Sequence, residues 1–136
     1  MAEVTGLPIK IEPGLSEWLN RKWFPTPPEI VVPGELRIHP ARIDPSYRSL
    51  GAARHGESGL EALRRSGATT LRLVEELTGN LLLVGHRASM LGATLALLGI
   101  SQAKLLRLHP VFDDIPPAFL VALDRTRTGW TLRLEP

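Results

Sequence analysis

No cysteine occurs among the 136 residues, which excludes a disulfide framework, a thiolate metal site and a cysteine nucleophile. No internal repeat or secretory signal is found, and the longest apolar run, residues 91–100, is too short to cross a bilayer. With 43% hydrophobic and 22% charged residues, the composition is typical of one folded domain. A cytoplasmic or nuclear protein without membrane contact is therefore expected.

A block of like charge is also missing. The net charge is only +2, and thirteen of the sixteen basic residues are arginines scattered along the chain. Scattered basic residues without interleaved aromatics disfavour a nucleic-acid surface, whose binding would weaken steeply with salt. Individual arginines can still bind phosphate, because guanidinium pairs with phosphate oxygens through two hydrogen bonds.

Few regular elements are predicted in the first 56 residues. Alternating apolar residues predict a short strand at 7–11, and residues 15–23 allow one or two helical turns. Residues 24–56 carry six prolines without a sustained period, which predicts an irregular segment.

The next segment has strong signals. Apolar periodicity predicts a helix over residues 58–78, with Ser58 and Glu61 as a capping box and Gly79 ending it. The continuous apolar run at 81–84 predicts a strand buried on both faces, as in a parallel sheet. A further apolar helix is predicted over 90–98, ending at Gly99.

The last third of the chain predicts a short helix over 101–108 and a hairpin. Its strands are predicted at 118–123 and 130–134, joined by a loop over 124–129. Together these elements predict an α/β layer architecture.

His86 is the strongest candidate for chemistry because it falls on the predicted strand-to-helix turn. Ligands of α/β proteins bind at such turns, where helix N-termini favour anions. From the residues alone, two interpretations stay open: His86 contacts an anion, or it merely caps the helix. The four histidines (His39, His55, His86 and His109) lack metal-ligand spacing, so no metal or other cofactor is expected.

Two carboxylates, Glu12 and Glu17, bracket the turn after the first predicted strand. A carboxylic acid beside a phosphate site can protonate a leaving alcohol. A solvated glutamate in a turn is the simpler alternative.

Residues 9–18, 43–48, 82–91 and 97–99 together resemble a known phosphatase domain. It is that of the suppressor-of-T-cell-receptor-signalling proteins, which is similar to the insect ecdysteroid-phosphate phosphatases. Both belong to the histidine phosphatase (phosphoglycerate mutase-like) superfamily. The most specific stretch is Glu-Pro-Gly-Leu-x-Glu-Trp at residues 12–18.

The resemblance implies roles for particular residues. His86 corresponds to the second histidine of the phosphate pocket and Glu17 to the proton donor, while Tyr47 and Arg48, with Asp44, match a substrate-side segment. Arg87 stands next to the pocket histidine where the family usually has glycine, so it would face the substrate as a bulky cation.

The family's nucleophilic histidine lies in an Arg-His-Gly motif after an upstream strand, which this sequence is expected to lack. Arg54-His55-Gly56 has the same letters, but no apolar strand precedes it, and we interpret it as a coincidence. The resemblance thus implies a single domain over residues 1–136, the C-terminal part of a three-layer α/β/α fold with a mainly parallel sheet and a C-terminal hairpin.

Two functions follow from the resemblance. The family reaction would be hydrolysis of a phosphotyrosine peptide or small phosphate ester through a phosphohistidine, with this chain inactive by itself. The alternative is a non-catalytic pseudophosphatase fragment that binds a phosphorylated ligand. It could also bind a partner chain, or a second copy of itself, along an open sheet edge.

Overall fold

A computed structural model describes residues 2–29, 42–101, 104 and 120–133. Within these ranges, helices run over Ala2–Thr5 (α1), Gly59–Glu76 (α2) and Arg87–Leu97 (α3), and strands over Leu123–Thr126 (β1) and Gly129–Leu132 (β2). A 3-10 turn at Pro13–Leu15 precedes α2. No helix in the described part of the chain is long and apolar enough to cross a membrane.

The two long helices lie close to their predicted positions. The Ser58 hydroxyl accepts a hydrogen bond from the Glu61 backbone N–H (3.3 Å), and Glu61 accepts one from the Ser58 N–H (2.8 Å), so the predicted capping box is confirmed. Gly79 and Gly99 follow α2 and α3 with positive φ values of 86° and 63°. Glycine adopts this backbone geometry without steric cost, which fits the end of α3 directly before Gly99, whereas α2 already ends at Glu76 with an extended Leu77.

Small residues allow α2 and α3 to pack closely. A Cβ atom on Gly92 would lie 2.1 Å from the Ser66 hydroxyl and 2.5 Å from the Leu63 carbonyl oxygen, so only glycine fits. Ser66 and Thr70 are fully buried at this contact, and their hydroxyls donate to carbonyl oxygens one turn earlier in α2. The apolar residues buried in the described part of the chain are Leu15, Leu19, Ile43, Ala62, Leu73, Ala93 and Leu95.

The Gly92→Ala variant is expected to be less stable than the wild type by about 1–2 kcal/mol in total, because the clash with the Leu63 backbone puts the overpacking cost at about 2–3 kcal/mol. The better helix propensity of alanine, about 1 kcal/mol, opposes this cost without cancelling it. Urea unfolding followed by circular dichroism measures the difference. Gly59→Ala is the control, since its Cβ would only touch the Trp18 ring at an ordinary 3.5 Å. Equal stability of Gly92→Ala and the wild type would contradict the close contact.

The segment at residues 81–84 differs from its prediction. It belongs to no strand, and Leu82 and Val84 are 58% and 65% exposed, so the predicted strand buried on both faces is wrong. A strand forms only beside a hydrogen-bonding neighbour, and no described segment bonds to this backbone. An apolar run does not show by itself whether a second strand is present to hydrogen-bond with it.

Strand pairing is limited in the described residues. The predicted strand at 7–11 forms one isolated parallel bridge, between Ile9 and Ile43. Its two hydrogen bonds join Ile9 to the backbone of residues 42 and 44 at 2.6 and 2.9 Å. The described chain is thus α/β, with long helices and one antiparallel two-stranded sheet.

The predicted C-terminal hairpin is confirmed, with different bounds. β1 pairs with β2 from Leu123 opposite Leu132 to Thr126 opposite Gly129, so the predicted six-residue loop is a two-residue turn. Polar residues enter the strand because Asp124 pairs with Arg133, and the Arg125 guanidinium lies 6.0 Å from the Trp130 ring centre. Residues 118–119, the start of the first predicted hairpin strand, and most of the helix predicted at 101–108 fall outside the described residues.

Candidate active site

Glu12 stabilises the loop that leads to the site. Its carboxylate accepts hydrogen bonds from the backbone N–H groups of Gly14 (2.8 Å), Leu50 (2.7 Å) and Gly51 (3.0 Å), and from the Tyr47 hydroxyl (2.7 Å). Four donors satisfy both oxygens of this carboxylate. Of the two glutamates that bracket the turn, Glu12 therefore has a structural role.

Glu17 lies at the other end of the same turn and faces His86. Its Oε2 is 3.0 Å from His86 Nδ1, and its Oε1 accepts a hydrogen bond from the Trp18 N–H at 2.7 Å. The Glu17 side chain is 28% exposed and the His86 side chain 58% exposed. The contact is an ion pair when the imidazole carries a proton.

The backbone of His86 is held by the first turn of α3. His86 is the N-cap residue of this helix, its N–H donates to the Ser89 hydroxyl, and that hydroxyl donates to the His86 carbonyl oxygen, both at 2.9 Å. A Cβ on Gly85 would lie 2.6 Å from the Ser89 hydroxyl and 3.5 Å from the Leu15 carbonyl oxygen. Gly85 therefore leaves room for the Ser89 hydroxyl beside the His86 backbone, while the turn that carries Glu17 lies at an ordinary contact distance.

Beneath the Glu17 turn lies a buried ion pair, Arg65 with Glu57, that the sequence analysis did not identify. The two side chains are 11% and 1% exposed, and the Arg65 Nη2–Glu57 Oε1 distance is 2.5 Å. The signal in the sequence is that Arg65 shares a face of α2 with the buried Ala62 and Thr69, an unusual place for an arginine.

The other predicted site residues have partners of their own. Arg87 is the first residue of α3 and is exposed. Tyr47 donates to Glu12, and Arg48 is exposed with its guanidinium against the Pro45 carbonyl oxygen (3.4 Å). Among the described residues, no hydrogen bond or ion pair joins Tyr47 or Arg48 to Glu17 or His86. Asp44 is bonded by Lys10 and Ser46, which holds the pKa of its carboxyl well below the usual range.

The Arg54-His55-Gly56 sequence lies in the turn that precedes α2. The His55 Nε2 is 2.8 Å from the Phe24 carbonyl oxygen, so this ring nitrogen is engaged with backbone. His39 and His109 fall outside the described residues. Within the described ranges, no three His, Asp or Glu side chains form a group that could hold a metal ion.

Comparison with known proteins decides the family. The sequence model of one protein family, the histidine phosphatase superfamily (branch 1), matches residues 1–135. The chain belongs to the histidine phosphatase superfamily. This histidine phosphatase chain is also 30% identical over 134 residues to the ecdysteroid-phosphate phosphatase of Drosophila melanogaster. The alignment covers 94% of the chain and 17% of that relative, and it confirms the resemblance seen in the sequence.

Proposed function

We propose that the Glu17–His86 pair binds a phosphate monoester, with His86 contacting the phosphate and Glu17 protonating the leaving group. The observation that carries this proposal is the 3.0 Å contact between the two side chains at the N-terminus of α3. Glu17 contacts the Nδ1 atom of His86, and the Nε2 atom has no partner among the described residues. Nε2 can therefore donate a hydrogen bond to a phosphate oxygen. The positive end of the α3 dipole favours an anion at the same place.

The chemistry assigned to Glu17 is general acid catalysis. In the family reaction a nucleophilic histidine nitrogen forms a bond to phosphorus while the bond between phosphorus and the ester oxygen breaks. A protonated Glu17 carboxyl would give its proton to that oxygen, which leaves as an alcohol. A phosphotyrosine peptide or a small phosphate ester fits this scheme. Arg87, next to His86, is proposed as a further contact to the substrate, and Tyr47 and Arg48 as contacts from a separate loop.

We further propose that this chain does not complete the reaction by itself. The support is the position of Arg54-His55-Gly56 in a turn, with a ring nitrogen of His55 bonded to backbone. On this view the chain contributes the acid and phosphate-binding part of a histidine phosphatase site, and the phosphohistidine would form elsewhere. A pseudophosphatase that only binds a phosphorylated ligand is the second candidate, and the same observation favours it.

The finer architecture is also a proposal. The parallel bridge between Ile9 and Ile43 supports a C-terminal part of a three-layer fold with a mainly parallel sheet. The exposed Leu82 and Val84 support a partner chain or second copy that covers residues 81–84. Sedimentation equilibrium distinguishes such an assembly from a monomer.

The proposal predicts that inorganic phosphate binds to the purified chain and that His86→Ala weakens this binding roughly 10- to 100-fold, the value of a charge-assisted hydrogen bond. Isothermal titration calorimetry measures the affinity. His55→Ala is the matched control and should bind phosphate like the wild type. Equal phosphate affinity of His86→Ala and the wild type would overturn the assignment.

Hydrolysis of an aryl phosphate tests the proposal that this chain does not complete the reaction by itself. We expect no turnover above background from the wild type or from His55→Ala. Turnover that disappears in His55→Ala would show that His55 is the nucleophile and that the chain is active alone.

A further inference from the structure

The contacts of Arg65 extend beyond its ion pair with Glu57. Its guanidinium donates hydrogen bonds to the backbone carbonyl oxygens of Gly14 (2.8 Å), Ser16 (3.4 Å) and Glu17 (3.2 Å). One side chain thus binds three peptide groups of the turn that carries the proposed proton donor. The last of these is the carbonyl of Glu17 itself.

We infer that Arg65 is a positioning residue that holds the Glu17 carboxylate within reach of His86. This inference rests on the proposed function, and it adds the residue on which the geometry of the acid depends. No hydrogen bond or ion pair among the described residues joins Arg65 to His86, so its effect passes through the backbone of Glu17. The planar guanidinium suits this task because its donors point in fixed directions, which a lysine ammonium does not provide.

Glu57 determines how the guanidinium is turned. Its carboxylate binds Arg65 Nε (2.9 Å) and Nη2 (2.5 Å), which leaves the other donor positions directed at the turn. The Glu57 carbonyl oxygen also accepts a hydrogen bond from the Trp18 indole N–H at 2.8 Å. Glu57 and Arg65 therefore hold the turn through both its backbone and the residue that follows Glu17.

The His86 side of the pair has its own support. Ser89 fixes the His86 backbone from within α3, and no described hydrogen bond links Ser89 to Arg65. A change at Arg65 should consequently disturb the pair by moving Glu17 rather than His86. This separation allows a positioning role to be distinguished from general stabilisation.

The direct test uses the ring nitrogen resonances of His86 in protein labelled with ¹⁵N-histidine. In the wild-type background, Glu17→Gln should shift the Nδ1 resonance, because the carboxylate bonded to this atom becomes an amide. In the Arg65→Lys background the same change should be less than about half as large, since Glu17 is no longer held against the ring. Arg54→Lys, at an exposed arginine paired with Glu61, is the control and should leave the Glu17-dependent shift unchanged.

A purely structural role for Arg65 predicts a different result: Arg65→Lys would lower stability and leave the Glu17-dependent shift of His86 intact. That outcome would overturn the inference. If Arg65→Lys does not fold, Glu57→Gln replaces it, because it removes the charge that orients the guanidinium and keeps an oxygen acceptor. Glu57→Gln should then reduce the Glu17-dependent shift, and an undiminished shift would again overturn the inference.

Phosphate binding connects the inference to the proposed function. The factor by which Glu17→Gln changes phosphate affinity should differ by roughly threefold or more between the wild-type and Arg65→Lys backgrounds, the coupling expected of residues in one network. If the wild type binds no phosphate, the proposed function fails, whereas the His86 resonances still test the positioning role. If phosphate binds and the factor is the same in both backgrounds, the positioning role fails alone.

Discussion

Replacing Arg65 by alanine is expected to lower the free energy of unfolding by about 3–5 kcal/mol, the cost of breaking a buried ion pair by removing one partner. The Glu57 carboxylate, 1% exposed, would stay buried without a cation. Three carbonyl oxygens of the Glu17 turn would lose a donor at the same time. Since small domains are stable by only about 5–15 kcal/mol, this variant should be marginally folded.

Urea unfolding of wild type, Arg65→Ala and the double variant Arg65→Met/Glu57→Gln measures this effect. The double variant should be more stable than Arg65→Ala, because no uncompensated charge is left inside. Arg54→Ala is the matched control: its pair with Glu61 is largely exposed, so its loss should cost far less than that of the buried pair. A cost for Arg65→Ala as small as that for Arg54→Ala would contradict the role of the buried pair.

Local signals in the sequence predicted local structure well. The capping box of Ser58 and Glu61 and the glycines after both helices depend on residues a few positions apart, so the sequence alone locates them. The C-terminal hairpin was predicted for the same reason. The predicted loop over 124–129 is longer than the observed two-residue turn, because cross-strand contacts of Asp124 and Arg125 bring polar residues into the strand.

Features that depend on distant partners were not predictable in the same way. The apolar run at 81–84 indicates hydrophobic contacts but cannot say whether a neighbouring strand is present. The contacts of Arg65 are not predictable from local spacing, because its partners lie 8 residues away at Glu57 and 51 residues away at Gly14. Only the fold shows that one guanidinium serves both.

The two residues of the candidate site are predicted on different grounds. Periodicity placed His86 at the start of a helix, and the family resemblance selected Glu17 rather than Glu12. The structure brings Glu17 to His86 and gives Glu12 four donors of its own. Spacing in the sequence could not separate the two glutamates, because both flank the same turn.

Glu12→Gln is the second substitution with a large expected effect, a loss of about 2–3 kcal/mol in the free energy of unfolding. A glutamine offers one acceptor oxygen where the carboxylate offers two, so its amide N–H₂ group would face backbone N–H groups or the Tyr47 hydroxyl. At least one backbone N–H would then lose its acceptor, because the Tyr47 hydroxyl can turn to accept from the amide but a backbone N–H cannot. Chemical unfolding measures the loss, with Glu17→Gln as the matched control from the other end of the turn.

Tyr47 reports on Glu12 directly because it is the only tyrosine in the chain. Partial burial, followed by the hydrogen bond to the Glu12 carboxylate, raises the pKa of Tyr47 well above its usual value. The folded state therefore holds this proton more tightly than the unfolded state. Its contribution to stability is fully present below about pH 10, the ordinary pKa of tyrosine, and is lost as the pH rises through the folded-state pKa.

Phenolate absorbance during a pH titration measures the Tyr47 pKa without interference from another tyrosine. In Glu12→Gln this pKa should fall toward the ordinary value while staying above it, because burial still disfavours the phenolate. In Glu17→Gln it should match the wild type, since the Glu17 carboxylate bonds to Trp18 and His86 instead. A Tyr47 titration that is the same in Glu12→Gln and the wild type would mean that Glu12 does not hold this loop. Equal changes in both variants would mean that the two glutamates do not have the separate roles assigned to them.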